Sequence, residues 1–296
     1  MRHDLTFLSE NTACAAWHYV PKTKKNGPRP ILVMAHGLGG TRNMRLDAFA
    51  ERFCAAGYHC LVFDYRFFGD SEGSPRQLLS IREQLKDWEA AAEFARTLEG
   101  ADPNRVILWG SSFSGGHVMQ TAAKLPWVAG SISQCPFTDG LASGLVIHPL
   151  SSLRLAPKIL ADFVAKLSKK PPVLVPLAGK PGEAALMTAP DCQRGYEAIQ
   201  PGSDPEIGEV SARIGAEILT YFPGRATLRM KKPAFVLVCK QDTVAPARAT
   251  HRHAAKLLQG TVKELDCGHF DIYVGEWFER TVALELEWLK AHFKAA

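Results

Sequence analysis

The fold is decided by the stretch Val106-Ile107-Leu108-Trp109-Gly110-Ser111-Ser112-Phe113-Ser114-Gly115-Gly116, in which an apolar run ends in Gly-x-Ser and two glycines follow. Such a pattern predicts a buried strand that turns sharply into a helix, with a serine at the turn. Backbone strain at that turn aims the serine out of the sheet, where a substrate can reach it. Because a free serine hydroxyl is a weak nucleophile, the chain must also supply a base that takes its proton.

Two serines compete for the turn. Ser112 follows Gly110 with one residue between them, directly after the predicted strand. Ser114 also has small residues two positions before and after it, but it already lies in the predicted helix. Because the nucleophile is expected within about two residues of the strand end, the sequence favours Ser112. A Ser/Gly-rich turn without chemistry is the alternative that this motif alone leaves open.

Candidate partners for the serine follow two later strands. One apolar strand leads to Asp242, and an alternating apolar-polar segment ends just before His269. Groups beyond the carboxyl ends of parallel strands share one crevice, so Ser112, Asp242 and His269 are expected to meet there as nucleophile, acid and base. Asp139, after an earlier strand, is the rival acid. A turn-forming aspartate and a surface histidine are the plainer interpretations of the two partners.

A glycine-rich loop, His36–Gly40, follows the predicted strand Ile31–Ala35. A tetrahedral intermediate needs two N–H donors aimed at its negative oxygen. The N–H of Phe113, directly after the nucleophile, is one predicted donor, and the N–H of Leu38 in this loop is the other. The loop lacks the spacing of a phosphate-binding glycine motif. His36 is predicted to hold the loop through a side-chain hydrogen bond.

These motifs resemble those of the α/β-hydrolase fold serine hydrolases, and they span nearly the whole chain. They are His36–Gly40, Asp64–Gly73, Gly110–Gly116, the Asp242 loop and Gly268–Phe270. Within that superfamily the chain is similar to bacterial hydrolases near the dienelactone hydrolase and X-Pro dipeptidyl-peptidase branches. The resemblance implies a cofactor-free Ser-His-Asp mechanism, on substrates that range from esters, lactones and thioesters to peptides.

The chain departs from the family pattern in two places. Ser114 stands where the last glycine of the serine motif is usual, and Phe67 stands where many relatives have a glycine. Phe67 and its neighbour Phe68 are therefore candidate substrate-binding residues, with ordinary core packing as the alternative.

Strands and helices alternate from Pro30 to Gln134 and again after Ala234, which predicts an α/β fold with a doubly wound, mostly parallel sheet. Residues 1–137 and 233–296 are predicted to form this core. The interval 138–232 is predicted to be an inserted, mainly helical cap over the crevice.

The predicted cap has helical periodicity in three places, broken by prolines and glycines, at Ser152–Leu167, Ala184–Met187 and Ile207–Leu219. Its apolar residues could line an acyl pocket or form the cap's own core. The candidate pocket residues among them are Leu145, Leu150 and Phe163.

Composition narrows the classes of partner. The net charge of +5 is scattered, and the basic runs Lys22–Lys25 and Lys169–Lys170 are too short to indicate a nucleic-acid site. No run of about 18 apolar residues is present, so no membrane span is predicted. Seven dispersed cysteines without a Cys-x-x-Cys motif predict reduced thiols, no metal and a cytoplasmic location. A small acyl compound is the predicted partner, no cofactor is expected, and a homodimer is compatible with the sequence.

The sequence thus predicts a serine hydrolase that cleaves a carboxylic ester, lactone or thioester through an acyl-enzyme. A peptidase or amidase that uses the same three residues is the alternative reaction. A binding protein of this fold without turnover is the alternative from another functional class.

Overall fold

Strands and helices alternate over most of the chain in this computed structural model, which describes residues 1–22, 27–202 and 208–295. Residues 23–25 of the basic run Lys22–Lys25, and Ile207 at the start of a predicted helix, lie outside the described residues. The described strands are β1 (Arg2–Ser9), β2 (Thr12–Tyr19), β3 (Arg29–Ala35), β4 (His59–Phe63), β5 (Ala101–Ser111), β6 (Gly130–Gln134), β7 (Leu174–Pro176), β8 (Glu209–Ser211), β9 (Ala234–Cys239) and β10 (Gly260–Leu265).

The helices connect these strands and cover both faces of the sheet. The described α-helices are α1 (Leu46–Ala55), α2 (Ile81–Ala95), α3 (Phe113–Lys124), α4 (Gly140–Gly144), α5 (Pro149–Leu167), α6 (Cys192–Ile199), α7 (Ile214–Leu219), α8 (Ala247–Ala254) and α9 (Gly275–His292). Short 3₁₀ helices cover Pro223–Arg229 and Asp271–Tyr273.

Eight of the described strands form one sheet in the order β1-β2-β4-β3-β5-β6-β9-β10. The strands from β4 to β10 pair in parallel, and β2 joins β4 in the antiparallel sense. Every residue of β3, β4, β6 and β9 is buried, as expected for strands that helices cover on both faces. The predicted doubly wound, mostly parallel α/β fold is confirmed.

The segment 138–232 leaves the sheet after β6 and returns to it at β9. It contains α4 to α7 and a small antiparallel pair of β7 with β8. The helix predicted over Ser152–Leu167 is confirmed as α5, one turn longer at its start. The other two helical predictions need correction: Ala184–Met187 contains no helix, and β8 precedes α7 within Ile207–Leu219.

Two further features of the described residues concern the cysteines and the length of the apolar helices. All seven cysteines are free, and all but Cys54 are buried. No helix in the described ranges is both long enough and apolar enough to cross a lipid bilayer.

Candidate active site

Ser112 sits at the turn between β5 and α3 in a strained backbone conformation, with φ 58° and ψ −122°. Its N–H donates to the carbonyl of Gln134 at 2.9 Å, and its own carbonyl accepts from the N–H of Phe137 at 2.8 Å. A Cβ atom at Gly110 would lie 2.5 Å from the carbonyl oxygen of Ser114, so the close approach of strand and helix requires glycine there. The turn predicted from the sequence is therefore present, with Ser112 at its point.

The three residues predicted to act together lie in one hydrogen-bond chain. The Ser112 hydroxyl lies 2.9 Å from Nε2 of His269, and Nδ1 of His269 lies 2.7 Å from Oδ2 of Asp242. The other carboxylate oxygen of Asp242 accepts the N–H groups of Val244 at 2.8 Å and Ala245 at 2.6 Å. This arrangement suits a neutral imidazole that donates from Nδ1 to the carboxylate and accepts the serine proton at Nε2.

Electrostatics at His269 favour its protonated form. Burial of the ring acts to lower its pKa, but the adjacent Asp242 carboxylate and the sulfur of Cys135 outweigh that effect and hold the pKa well above its usual value. His269 and Asp242 have side chains that are almost completely buried. A base with a raised pKa accepts a proton from serine more readily, once it has itself lost its proton to solvent.

The two rival residues are engaged elsewhere. Ser114 is fully buried in α3, and its hydroxyl forms a hydrogen bond with the Tyr65 hydroxyl at 3.0 Å. Asp139 is the N-cap of α4, where it accepts the N–H of Ala142 at 3.0 Å, and it also pairs with Arg252. Neither is a hydrogen-bond partner of His269, whose partners are Ser112 and Asp242.

The two predicted N–H donors belong to segments that adjoin Ser112. Phe113 is the first residue of α3, and the first N–H groups of a helix have no acceptor within it. The loop of Leu38 lies against the serine, since a Cβ at Gly37 would be 2.9 Å from Cβ of Ser112. His36 holds this loop: its Nδ1 accepts the N–H of Gly37 at 2.8 Å, and its Nε2 faces the carbonyl of Met44 at 3.0 Å. Burial lowers the pKa of His36 to about 4 and so keeps the ring neutral.

A cavity of about 220 Å³ opens beside Ser112. Most of its lining residues are apolar, none is charged, and most belong to the segment 138–232. Its walls are Leu38, Ser112, Phe113, Phe137, Ser143, Gly144, Val146, Ile147, Ser152, Leu155, Ala156, Ile159, Leu186, Met187, Thr188, Ala189, Cys192, Gly215, Ile218, Leu219, Thr243 and Val244.

The five side chains predicted to bind substrate are not among these walls. Phe67 and Phe68 are buried in the core, where Phe67 packs over Gly73. Leu145, Leu150 and Phe163 are 87%, 41% and 36% exposed and do not line the cavity. Leu150 belongs to the outer face of α5, whereas Phe163 shares the face of Ile159 but lies one turn beyond the residues that line the cavity.

Cys135 is a site residue that the sequence analysis missed. It follows β6 directly, is buried, and places its sulfur within 4.8 Å of the ligand atoms of Asp242 and His269. Of the described residues, only these three bring candidate metal ligands so close together. Because Asp242 and His269 already bond to each other, a cation would have to replace that hydrogen bond. A site without metal or cofactor stays a prediction.

The sequence of the chain is similar to those of several known proteins. The sequence model of a family described as the alpha/beta hydrolase family matches residues 32–284. The quorum-quenching protein AidA of Acinetobacter baumannii is 50% identical over 287 residues, which cover 97% of this chain and 94% of that protein. The thiohydrolase aneE of Aspergillus aculeatus is 32% identical over 159 residues, which cover 53% of this chain and 50% of that protein.

Solved structures agree in fold at low sequence identity. The crystal structure of the alpha/beta hydrolase GrgF from Penicillium sp. sh18 superposes with a TM-score of 0.83 at 20% identity, covering 99% of each chain. At this identity the likeness concerns the fold alone.

Proposed function

The chain belongs to the alpha/beta hydrolase family, and from that premise we propose that it is a serine hydrolase that cleaves a carboxylic ester, lactone or thioester through an acyl-enzyme. The observation that carries this proposal is the continuous hydrogen-bond chain from Asp242 through His269 to Ser112, at the wall of an apolar cavity. Three groups in this relation suit nucleophilic catalysis by serine.

In the proposed reaction, the Ser112 hydroxyl oxygen attacks the carbonyl carbon of the substrate while His269 takes its proton at Nε2. Asp242 holds the Nδ1–H tautomer and stabilises the imidazolium that forms. The N–H groups of Leu38 and Phe113 bind the negative oxygen of the tetrahedral intermediate. His269 then gives this proton to the leaving group as the bond between that group and the carbonyl carbon breaks, which leaves the acyl group on Ser112. Water next attacks the acyl carbonyl while His269 takes its proton, and the bond to the Ser112 oxygen breaks as that oxygen regains a proton from His269.

The character of the cavity favours an uncharged acyl group as substrate. An aminopeptidase must bind a charged amino terminus, and none of the residues that line this cavity in the described part of the chain carries a charge. Relatives named as a quorum-quenching protein and as thiohydrolases also support small acyl compounds over peptides. We therefore rank esters, lactones and thioesters above amides.

The segment 138–232 has the proposed role of a cap that shapes the acyl site, with residues 1–137 and 233–296 as the catalytic core. Support comes from the cavity, since helices α4 to α7 and the loops between them supply most of its walls. A cover of this kind excludes water from the reacting carbonyl and selects the acyl group.

The test is covalent labelling of the intact protein with a fluorophosphonate, followed by mapping of the labelled residue. Substrates of the unlabelled protein are sought in parallel among p-nitrophenyl esters of graded chain length, acyl lactones, acyl thioesters and aminoacyl amides. The proposal predicts a label on Ser112 and turnover of at least one ester, lactone or thioester. A folded protein that is not labelled at Ser112, or that cleaves only amides, would contradict it.

A further inference from the structure

The outer face of α5 carries an unusually regular row of exposed apolar side chains, called here the α5 stripe. Its members recur at alternating intervals of three and four residues, so they share one face of the helix. Several are strongly exposed, with Leu153 at 71% and Leu167 at 84%. The α5 stripe consists of Leu150, Leu153, Pro157, Leu160, Val164 and Leu167.

The stripe is not the face by which α5 packs onto the protein. The opposite side of the helix carries its buried residues, Ser151, Leu155, Asp162 and Ala165. The face between that side and the stripe supplies Ser152, Ala156 and Ile159 to the cavity wall. A helix that is apolar on both sides is normally covered on both sides. Single exposed leucines need no explanation, but a contiguous row of them marks an interaction surface.

Charge at the edges of the stripe identifies what could cover it. Arg154 lies beside the stripe, and Lys169 and Lys170 follow its carboxyl-terminal end. Asp162 is the only acidic residue between positions 140 and 170, and it is buried in an ion pair with Arg213. The stripe is therefore bordered by positive charge without an exposed negative charge of its own helix.

We propose that the α5 stripe docks on the surface of a bilayer that contains anionic phospholipid. Apolar side chains on one face, with Lys and Arg at its edges, suit a helix that lies in the headgroup region. The helix has 19 residues, so it would extend about 28 Å along the surface. A second copy of the chain is the less suitable cover, because an antiparallel pair of α5 helices would bring Arg154 toward the partner's lysine-rich end.

The experiment is co-sedimentation of the full chain with two kinds of vesicle, pure phosphatidylcholine and phosphatidylcholine with one quarter phosphatidylglycerol. The wild type should bind the anionic vesicles, and binding should weaken as salt is raised. Leu160→Asp or Leu167→Asp should lower the partition coefficient at least about tenfold, because a leucine no longer enters the apolar layer. Lys170→Glu should lower it at least about fivefold.

Matched controls distinguish the stripe from general stickiness. Leu258→Asp and Lys256→Glu change an exposed leucine and an exposed lysine on another part of the surface and should leave vesicle binding intact. None of these residues lines the cavity, so labelling of Ser112 reports folding of each variant. The surface proposal does not depend on the proposed reaction, since vesicle binding is measured without substrate.

Two results would overturn the proposal. One is wild-type protein that stays in the supernatant with anionic vesicles, or control variants that lose binding as much as the stripe variants do. The other is sedimentation-velocity evidence for a dimer that Leu160→Asp dissociates, because a second copy would then be the cover of the stripe.

Discussion

Replacement of Asp242 by asparagine tests the proposed division of roles at the site. Oδ1 of Asp242 accepts the N–H groups of Val244 at 2.8 Å and Ala245 at 2.6 Å, while Oδ2 faces Nδ1 of His269 at 2.7 Å. An asparagine here must turn its amide oxygen to those two N–H groups, because an NH₂ group cannot face two donors. Its NH₂ would then donate to Nδ1, and the imidazole proton would move to Nε2, which faces Ser112.

An Nε2 that already carries a proton cannot accept one from serine. We therefore expect Asp242→Asn to lower kcat by about 10⁴, which corresponds to about 5.4 kcal/mol on the activation barrier. The melting temperature should change little, because the two side chains have nearly the same shape. The assay is steady-state hydrolysis of the best p-nitrophenyl ester, alongside thermal denaturation followed by circular dichroism.

Asp139→Asn is the matched control for this variant, because Asp139 caps α4 and does not contact His269. It should keep nearly full activity. A kcat for Asp242→Asn above a tenth of the wild-type value would contradict the role assigned to Asp242. A loss of activity in Asp139→Asn instead would contradict it equally.

Three further predictions concern the nucleophile, the base and the cavity. Ser112→Ala should abolish fluorophosphonate labelling and activity, whereas Ser114→Ala should keep most of both; the exchanged result would identify Ser114 as the nucleophile. Because the pKa of His269 is raised, kcat/KM for a neutral ester should fall as pH drops through a value above 6.5, and a flat pH profile would contradict its role as base. Ile159→Ala, which widens the cavity wall, should shift relative kcat/KM among acyl chain lengths by about 10–200-fold, whereas Leu160→Ala on the outer face should not.

The parts of the structure that depend on local signals were predictable from the sequence. The Gly-x-Ser pattern at the end of an apolar strand, with two glycines following, predicts a sharp turn, and in that turn Ser112 adopts a positive φ. Asp242 and His269 each follow a strand, and the parallel sheet brings those strand ends to the same crevice. Cys135 follows β6 in the same way and gives the same signal, but a cysteine at such a position is equally typical of a buried core thiol.

The parts that depend on contacts distant in sequence were not predictable. Helix α5 is apolar on more than one face, so periodicity does not indicate which face turns inward: Leu150 lies on the outer face, and Phe163 lies one turn beyond the end of the cavity. The start of the third helical patch became β8 because its residues pair with β7, more than thirty positions earlier. In α5 the packing of the helix decides which apolar face turns inward, and at β8 strand pairing decides between a helix and a strand; the local sequence pattern favours neither outcome clearly.

The strained turn at Ser112 is held by the sheet rather than by the segment that forms the cavity. Its N–H and carbonyl both bond to the chain around the end of β6, through Gln134 and Phe137, and these bonds oppose a strain of about 1–3 kcal/mol. The cavity walls come mostly from residues 138–232. Substitutions in those walls should therefore change which acyl group reacts, while the rate of labelling of Ser112 by a small fluorophosphonate stays nearly constant. A folded wall variant such as Ile159→Ala that lost this labelling would show instead that the cavity segment also maintains the geometry of the nucleophile.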